Sequence, residues 1–166
     1  EGEAVRHLLR PARQHFGAGL RAYVALAPER RASAYALVAE EGVRLYVWLS
    51  HVWLLSGYPV QGKAYSREAL ARAQALDYVG VQAISLTTAG AAFYAACRQA
   101  EVALGHAEQL LALADKHTLL PYQGWATFYH GWALAYQGQP AAGLSEMHAG
   151  IDQLRATGTQ GSLAHL

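Results

Sequence analysis

The sequence predicts an all-α protein built from helix pairs that repeat about every 40 residues, and three observations carry that expectation. The first is composition. Alanine and leucine dominate, β-branched residues are sparse, 53% of the 166 residues are hydrophobic and 15% are charged. That balance favours a folded helical chain over a disordered or sheet-rich one. The second is a repeated punctuation. "HVWLLSGYPVQG" (His51–Gly62) and "WALAYQGQPAAG" (Trp132–Gly143) both read as an apolar stretch, then Gly, one residue, Pro, two residues, Gly. A weaker third copy, "AFYAACRQAEVA" (Ala92–Ala103), makes Gly57, Arg98 and Gly138 equivalent turn positions, 41 and 40 residues apart. The third is a set of small residues at fixed distances from those turns: Ser50, Ala91 and Gly131 before, Gly62, Ala103 and Gly143 after, then Ala69, Leu110 and Gly150, where only Leu110 is large. Small residues at helical spacing are what two closely crossing helices require.

Taken in order, a short helix is expected over 3–9, a second over 12–27 that stops at Pro28, and a third over 29–40 that ends near Glu41-Gly42. Three pairs follow: 43–56 with 60–76, 79–97 with 99–117, and 120–137 with 140–157. Pro59, Pro121 and Pro140 suit the first helical turn, where no backbone N–H is needed, and Gly57 and Gly138 suit the preceding C-terminal cap. The domain reading is one helical-repeat domain over 1–166: N-terminal helices in 1–42, then pairs in 43–77, 78–118 and 119–158. With no initiator Met and an abrupt end at "GSLAHL", the chain is expected to be part of a longer protein.

Several function classes lack their signatures. Net charge is +1 and the Lys/Arg residues are scattered, which leaves no electrostatic footprint for nucleic acid. Cys97 is the only cysteine, so an internal disulfide and a cysteine-built zinc cage are excluded; the easy reading is a reducing cytoplasm. No membrane span is expected, because the apolar runs are interrupted by charge or glycine. The eight histidines, His7, His15, His51, His106, His117, His130, His148 and His165, form no i,i+4 pair and no H-E-x-x-H, so no metal site is expected. No phosphate-cradling G-x-x-x-x-G-K-[ST] occurs, and "GAG" at Gly17–Gly19 lacks the third glycine and the preceding strand of a dinucleotide loop. No cofactor is expected. Asp77, Asp115 and Asp152, the only aspartates, fall near helix ends and read as repeat decoration.

Four residues before each turn stands a large apolar residue, Trp53, Tyr94 or Leu134, and the resulting small–large–small pattern resembles the tetratricopeptide (TPR) repeat, lengthened from its usual period of about 34 residues. More specifically, "LSGYP" (Leu55–Pro59), "REALARAQAL" (Arg67–Leu76), "GWALAYQG" (Gly131–Gly138) and "LRATG" (Leu154–Gly158) resemble the C-terminal TPR-like region of large bacterial proteins that carry an AAA/STAND-type ATPase module, often with an N-terminal class III adenylate/guanylate cyclase domain. The resemblance covers residues 40–160. It implies an α-solenoid of antiparallel helix pairs, a regulatory role in signalling, and an intramolecular contact with an ATPase or cyclase domain as one partner. Any catalytic residues of the parent would then lie outside this segment.

In such a repeat the first helix of each pair lines the concave face. The inward positions are expected to be Arg44, Val47, His51 and Leu54, then Ser85, Thr88, Ala92 and Ala95, then Trp125, Phe128, Trp132 and Ala135 with Tyr136 beside them. The candidate groove is Arg44, His51, Ser85, Thr88, Trp125, Phe128, Trp132 and Tyr136: a polar wall, a small floor and an aromatic wall. The competing reading places these rings in the interhelical core. The slots that would hold Lys, Asn and Arg for an acidic peptide terminus hold Val47, His51, Ala89, Trp125 and Tyr129, so a protein or peptide segment or a ligand of apolar character is expected. Two functions follow. One is a non-catalytic binding or scaffold module, and the other is a small-molecule-binding helical domain using the aromatic groove. Catalysis would need a base held by a second polar group, and no carboxylate lies one turn from His51.

Overall fold

The computed structural model describes residues 2–25 and 37–158, with side chains for 9–25 and 41–158. The described residues are helical almost throughout and contain no strand, as the composition requires. In chain order they form α1 (Gly2–Ala25), α2 (Leu37–Leu55), α3 (Pro59–Ala75), α4 (Val79–Ser85), a π-helical segment π1 (Leu86–Ala92), α5 (Phe93–Ala96), α6 (Ala100–His117), α7 (Leu120–Tyr136) and α8 (Pro140–Ala156).

The chain divides into two compact units, Glu1–Ser85 and Leu86–Leu166. In the first, α2 packs against α1 and α3, and α4 contacts both α2 and α3. Val43, Val47, Leu49, Ala69 and Val81 form its core. In the second, α7 packs against α6 and α8, while π1 and α5 pack on α6 and reach α7. Phe93, Leu110, Ala126 and Leu154 are the buried centre of that unit.

The three turns read from the sequence share one geometry. Gly57, Arg98 and Gly138 all have positive φ, at 86°, 57° and 89°. The residue after each donates its backbone N–H five residues back: Tyr58 to Trp53 O at 2.9 Å, Gln99 to Tyr94 O at 2.9 Å, Gln139 to Leu134 O at 3.0 Å. Left-handed residues with this six-to-one bond satisfy the last carbonyls of the preceding helix. The next helix then starts identically, with Gly62, Ala103 and Gly143 donating to the carbonyls of Tyr58, Gln99 and Gln139 at 2.9–3.0 Å. All nine positions flagged as close-approach sites are buried, Leu110 included.

Between α7 and α8 the approach is backbone on backbone. A Cβ added at Gly143 would press on the Gly131 carbonyl and stand 2.6 Å from the Ala135 nitrogen. One added at Gly150 would stand 2.7 Å from the Gly124 carbonyl and the Phe128 nitrogen. Real Cβ atoms do not come this close to backbone, so glycine is required at both crossings.

Four expectations need correction. The break between 3–9 and 12–27 does not occur: α1 runs through Pro11, which is exposed, so its missing hydrogen bond falls where solvent can serve. Glu41-Gly42 is not a helix end either. Gly42 is buried inside α2, and a Cβ there would collide with the ring of Tyr23 on α1, so the glycine admits a neighbour rather than ending a helix. The expected helix 29–40 lies mostly outside the described residues. Third, the single helix expected over 79–97 is interrupted by π1. Val79 to Arg98 spans one residue more than Leu120 to Gly138, and a π turn absorbs one extra residue within a helix. Fourth, one stretch, Val79–Ala96, runs 18 residues without a charge at a mean hydropathy of 1.2, where interrupted apolar runs were expected, and 56% of it is buried inside the fold.

Candidate functional site

Helix α7 begins with Pro121 in its first turn, a position that needs no N–H. Side chains pin it to both neighbours. Gln123 Nε2 donates to Asp115 Oδ1 of α6 at 2.8 Å, and His130 Nδ1 pairs with Glu146 of α8 at 2.5 Å. Two sides of α7 are buried: Gly124, Phe128 and Gly131 lie on one, towards α8, and Ala126 and Ala133 on the opposite one. Between them run Trp125, Tyr129, Trp132 and Tyr136, spaced four, three and four residues apart, which aligns them in one helical stripe.

The four rings form two stacks along that stripe. Trp125 and Tyr129 lie with centroids 6.0 Å apart and planes 17° from parallel, Trp132 and Tyr136 at 4.6 Å and 24°. Phe128 meets Trp125 edge-on at 6.4 Å and Tyr129 edge-on at 5.2 Å. Trp125, Tyr129 and Trp132 are half-buried, and Tyr136 is 51% exposed. Burial pushes the Tyr129 phenol up to about 12, so it stays a neutral hydroxyl through the physiological range. The stripe is a partly open aromatic surface with no charge of its own.

Phe128 does not line this surface, contrary to expectation. It is 7% exposed and backs the rings from the core side. The i,i+3 step from Trp125 turns inward, whereas the i,i+4 step to Tyr129 stays on the open face. Tyr129 is therefore the half-buried ring of the stripe missing from the candidate set, although it stands in one of the slots compared with acidic-peptide clamps.

In the first unit, α2 presents Arg44, Trp48, His51 and Leu55 at the same spacing, each 81 residues before its α7 counterpart. Trp48 is 44% and Leu55 61% exposed, and Arg44 and His51 are half-buried. His51 Nδ1 lies 3.1 Å from Ser50 Oγ and 3.4 Å from the Val47 carbonyl. Its pKa is lowered by burial, with the Val47 carbonyl opposing, so the ring is neutral. Trp48 and Leu55 are thus open-face residues that the polar-wall reading omitted.

Ser85 is also misplaced by the sequence reading. It is fully buried and its hydroxyl has no hydrogen-bond partner. The reason is π1: counting back from Arg98 at α-helical spacing ignores the inserted residue, and it is Ile84, one position earlier, that remains half-buried. Thr88, within π1, is half-buried. Across the described residues no group of three or more His, Cys, Asp or Glu side chains could hold a metal ion.

The chain was compared with family models, curated proteins and solved structures. None matches.

Proposed function

We propose that this chain is a non-catalytic, TPR-like binding module whose α7 stripe docks the apolar face of an amphipathic helical segment from a protein partner. The observation that carries this reading is the alignment of Trp125, Tyr129, Trp132 and Tyr136 on one partly open face of α7. Large rings held at helical spacing supply anchoring area at low entropic cost, and helix-in-groove recognition uses such anchors. The solenoid of antiparallel pairs is supported by three turns with the same positive φ and hydrogen bonds and by the α7–α8 backbone approach. The absence of positive charge from the stripe argues for an apolar contact rather than capture of an acidic terminus. A regulatory role within a bacterial signalling ATPase or cyclase, in the cytoplasm, rests on the sequence resemblance alone.

Selection from a display library of amphipathic helical peptides tests this. The chain should enrich peptides with apolar anchors at i, i+3/i+4 and i+7, and Trp132→Ala should weaken their binding by about 2 kcal/mol or more. A library that yields no binder sensitive to Trp132 would overturn the proposal.

A further inference from the structure

We propose that the first unit carries a separate binding site for a small aromatic carboxylate, in a cleft between α1, α2 and α3. The cleft has a volume of about 260 Å³, and Arg13, Gln14, Gly17, Arg21, Trp53 and Tyr65 line it. Its position follows from spacing. Arg13, Gly17 and Arg21 succeed one another at every fourth residue of α1, so they share a face. Gly17 leaves the middle of that face bare, and Arg21 Nη1 comes within 3.6 Å of where a Gly17 Cβ would stand. The Arg21 guanidinium is therefore drawn back along α1 towards Arg13, as helical side-chain direction favours.

The opposite wall is aromatic. The Arg13 guanidinium sits 4.7 Å from the centroid of the Trp53 ring, a cation–π distance. Trp53 and Tyr65 lie with planes 9° from parallel and centroids 6.5 Å apart. The Trp53 indole N–H is buried with no hydrogen-bond acceptor. Among the described residues Arg72 and Arg155 are paired with Glu68 and Asp152, whereas neither Arg13 nor Arg21 forms an ion pair. Two guanidinium groups without a carboxylate call for an anion, and a carboxylate fits their fork. Arg13 already covers one face of Trp53, so it is Tyr65 that an inorganic anion would leave unused and a planar ring could lie against. The volume is just below the usual range of ligand pockets, which limits the guest to about one ring with its carboxylate.

Titration of the 166-residue chain with benzoate, followed through the Trp53 indole N–H signal in nitrogen–proton correlation spectra, tests the site. Benzoate should shift that signal saturably, and acetate, inorganic phosphate and benzamide should each bind about tenfold more weakly or worse. Arg13→Gln and Arg21→Gln should each weaken benzoate by about tenfold. Gly17→Leu keeps both cations and improves helix propensity but fills the cleft, so it should abolish the shift. Absence of a saturable shift, equal binding of acetate or phosphate, or undiminished binding to Gly17→Leu would each overturn the proposal.

Discussion

Replacing Gly143 by alanine tests the packing account with a single methyl group. The added Cβ would stand 2.6 Å from the Ala135 nitrogen and 2.7 Å from the Ala135 Cβ, and closer still to the Gly131 carbonyl. Ordinary contact begins near 3.4 Å, so α7 and α8 must part by roughly 1 Å at their tightest crossing, against the Gly131 carbonyl, with backbone rather than a flexible side chain in the way. Overpacking of this kind costs about 3 kcal/mol at the upper end of its usual range, and the better helix propensity of alanine returns about 1 kcal/mol. The expected net loss is about 2 kcal/mol. Gly105 is the internal control. It lies mid-helix in α6 with nothing within 4 Å of its would-be Cβ, so Gly105→Ala should gain about 0.5–1 kcal/mol. Urea unfolding followed by far-ultraviolet circular dichroism reads both. A Gly143→Ala chain as stable as the parent would show that α7 and α8 do not cross at these glycines.

Two further outcomes are expected. Arg98 is exposed and holds φ 57° where the two other turns use glycine, so Arg98→Gly should raise stability by up to about 1 kcal/mol; a lower melting temperature would contradict the shared-turn geometry. His51 and His106 both have pKa values lowered by burial, the His106 Nδ1 also lacking a hydrogen-bond partner. Their unfolded forms take up protons below about 6.5 while the folded forms resist, so the unfolded state binds more protons there. This contribution is complete above that pH and is lost as pH falls towards the lowered folded values. The urea midpoint should therefore drop between pH 7.5 and 5.5, and His106→Phe should flatten part of the drop; a slope unchanged by the substitution would remove His106 from the explanation.

What could be read from the sequence was local and repeated. Gly57, Arg98 and Gly138 were legible because a left-handed turn leaves the same mark three times, even where Arg98 replaces glycine. The helix ends near Pro59, Pro121 and Pro140 were legible for the same reason. Single events were not. Gly42 looks like a helix stop and is instead the seat of the Tyr23 ring, a fact fixed by a residue nineteen positions away. The π turn is one inserted residue with no side-chain signature, and it moved Ser85 off the face assigned to it. Phe128 and Tyr129 are adjacent, similar rings, and only the packing of α7 against its neighbours decides which is fully buried and which is half-buried. The Arg13–Trp53 cleft joins elements forty residues apart in sequence, and no motif announces it.

Tyr136→Ala gives the most direct test that α7 is a docking surface. Tyr136 is 51% exposed, at the open end of the Trp132 stack, so its loss separates binding from folding in a way that the half-buried Trp132 cannot. Affinity for a selected amphipathic peptide would be measured alongside the urea midpoint. The account predicts stability within about 0.5 kcal/mol of the parent and binding weakened by about tenfold. Unchanged affinity in a folded Tyr136→Ala chain would contradict it and leave the stripe as the outer edge of the core.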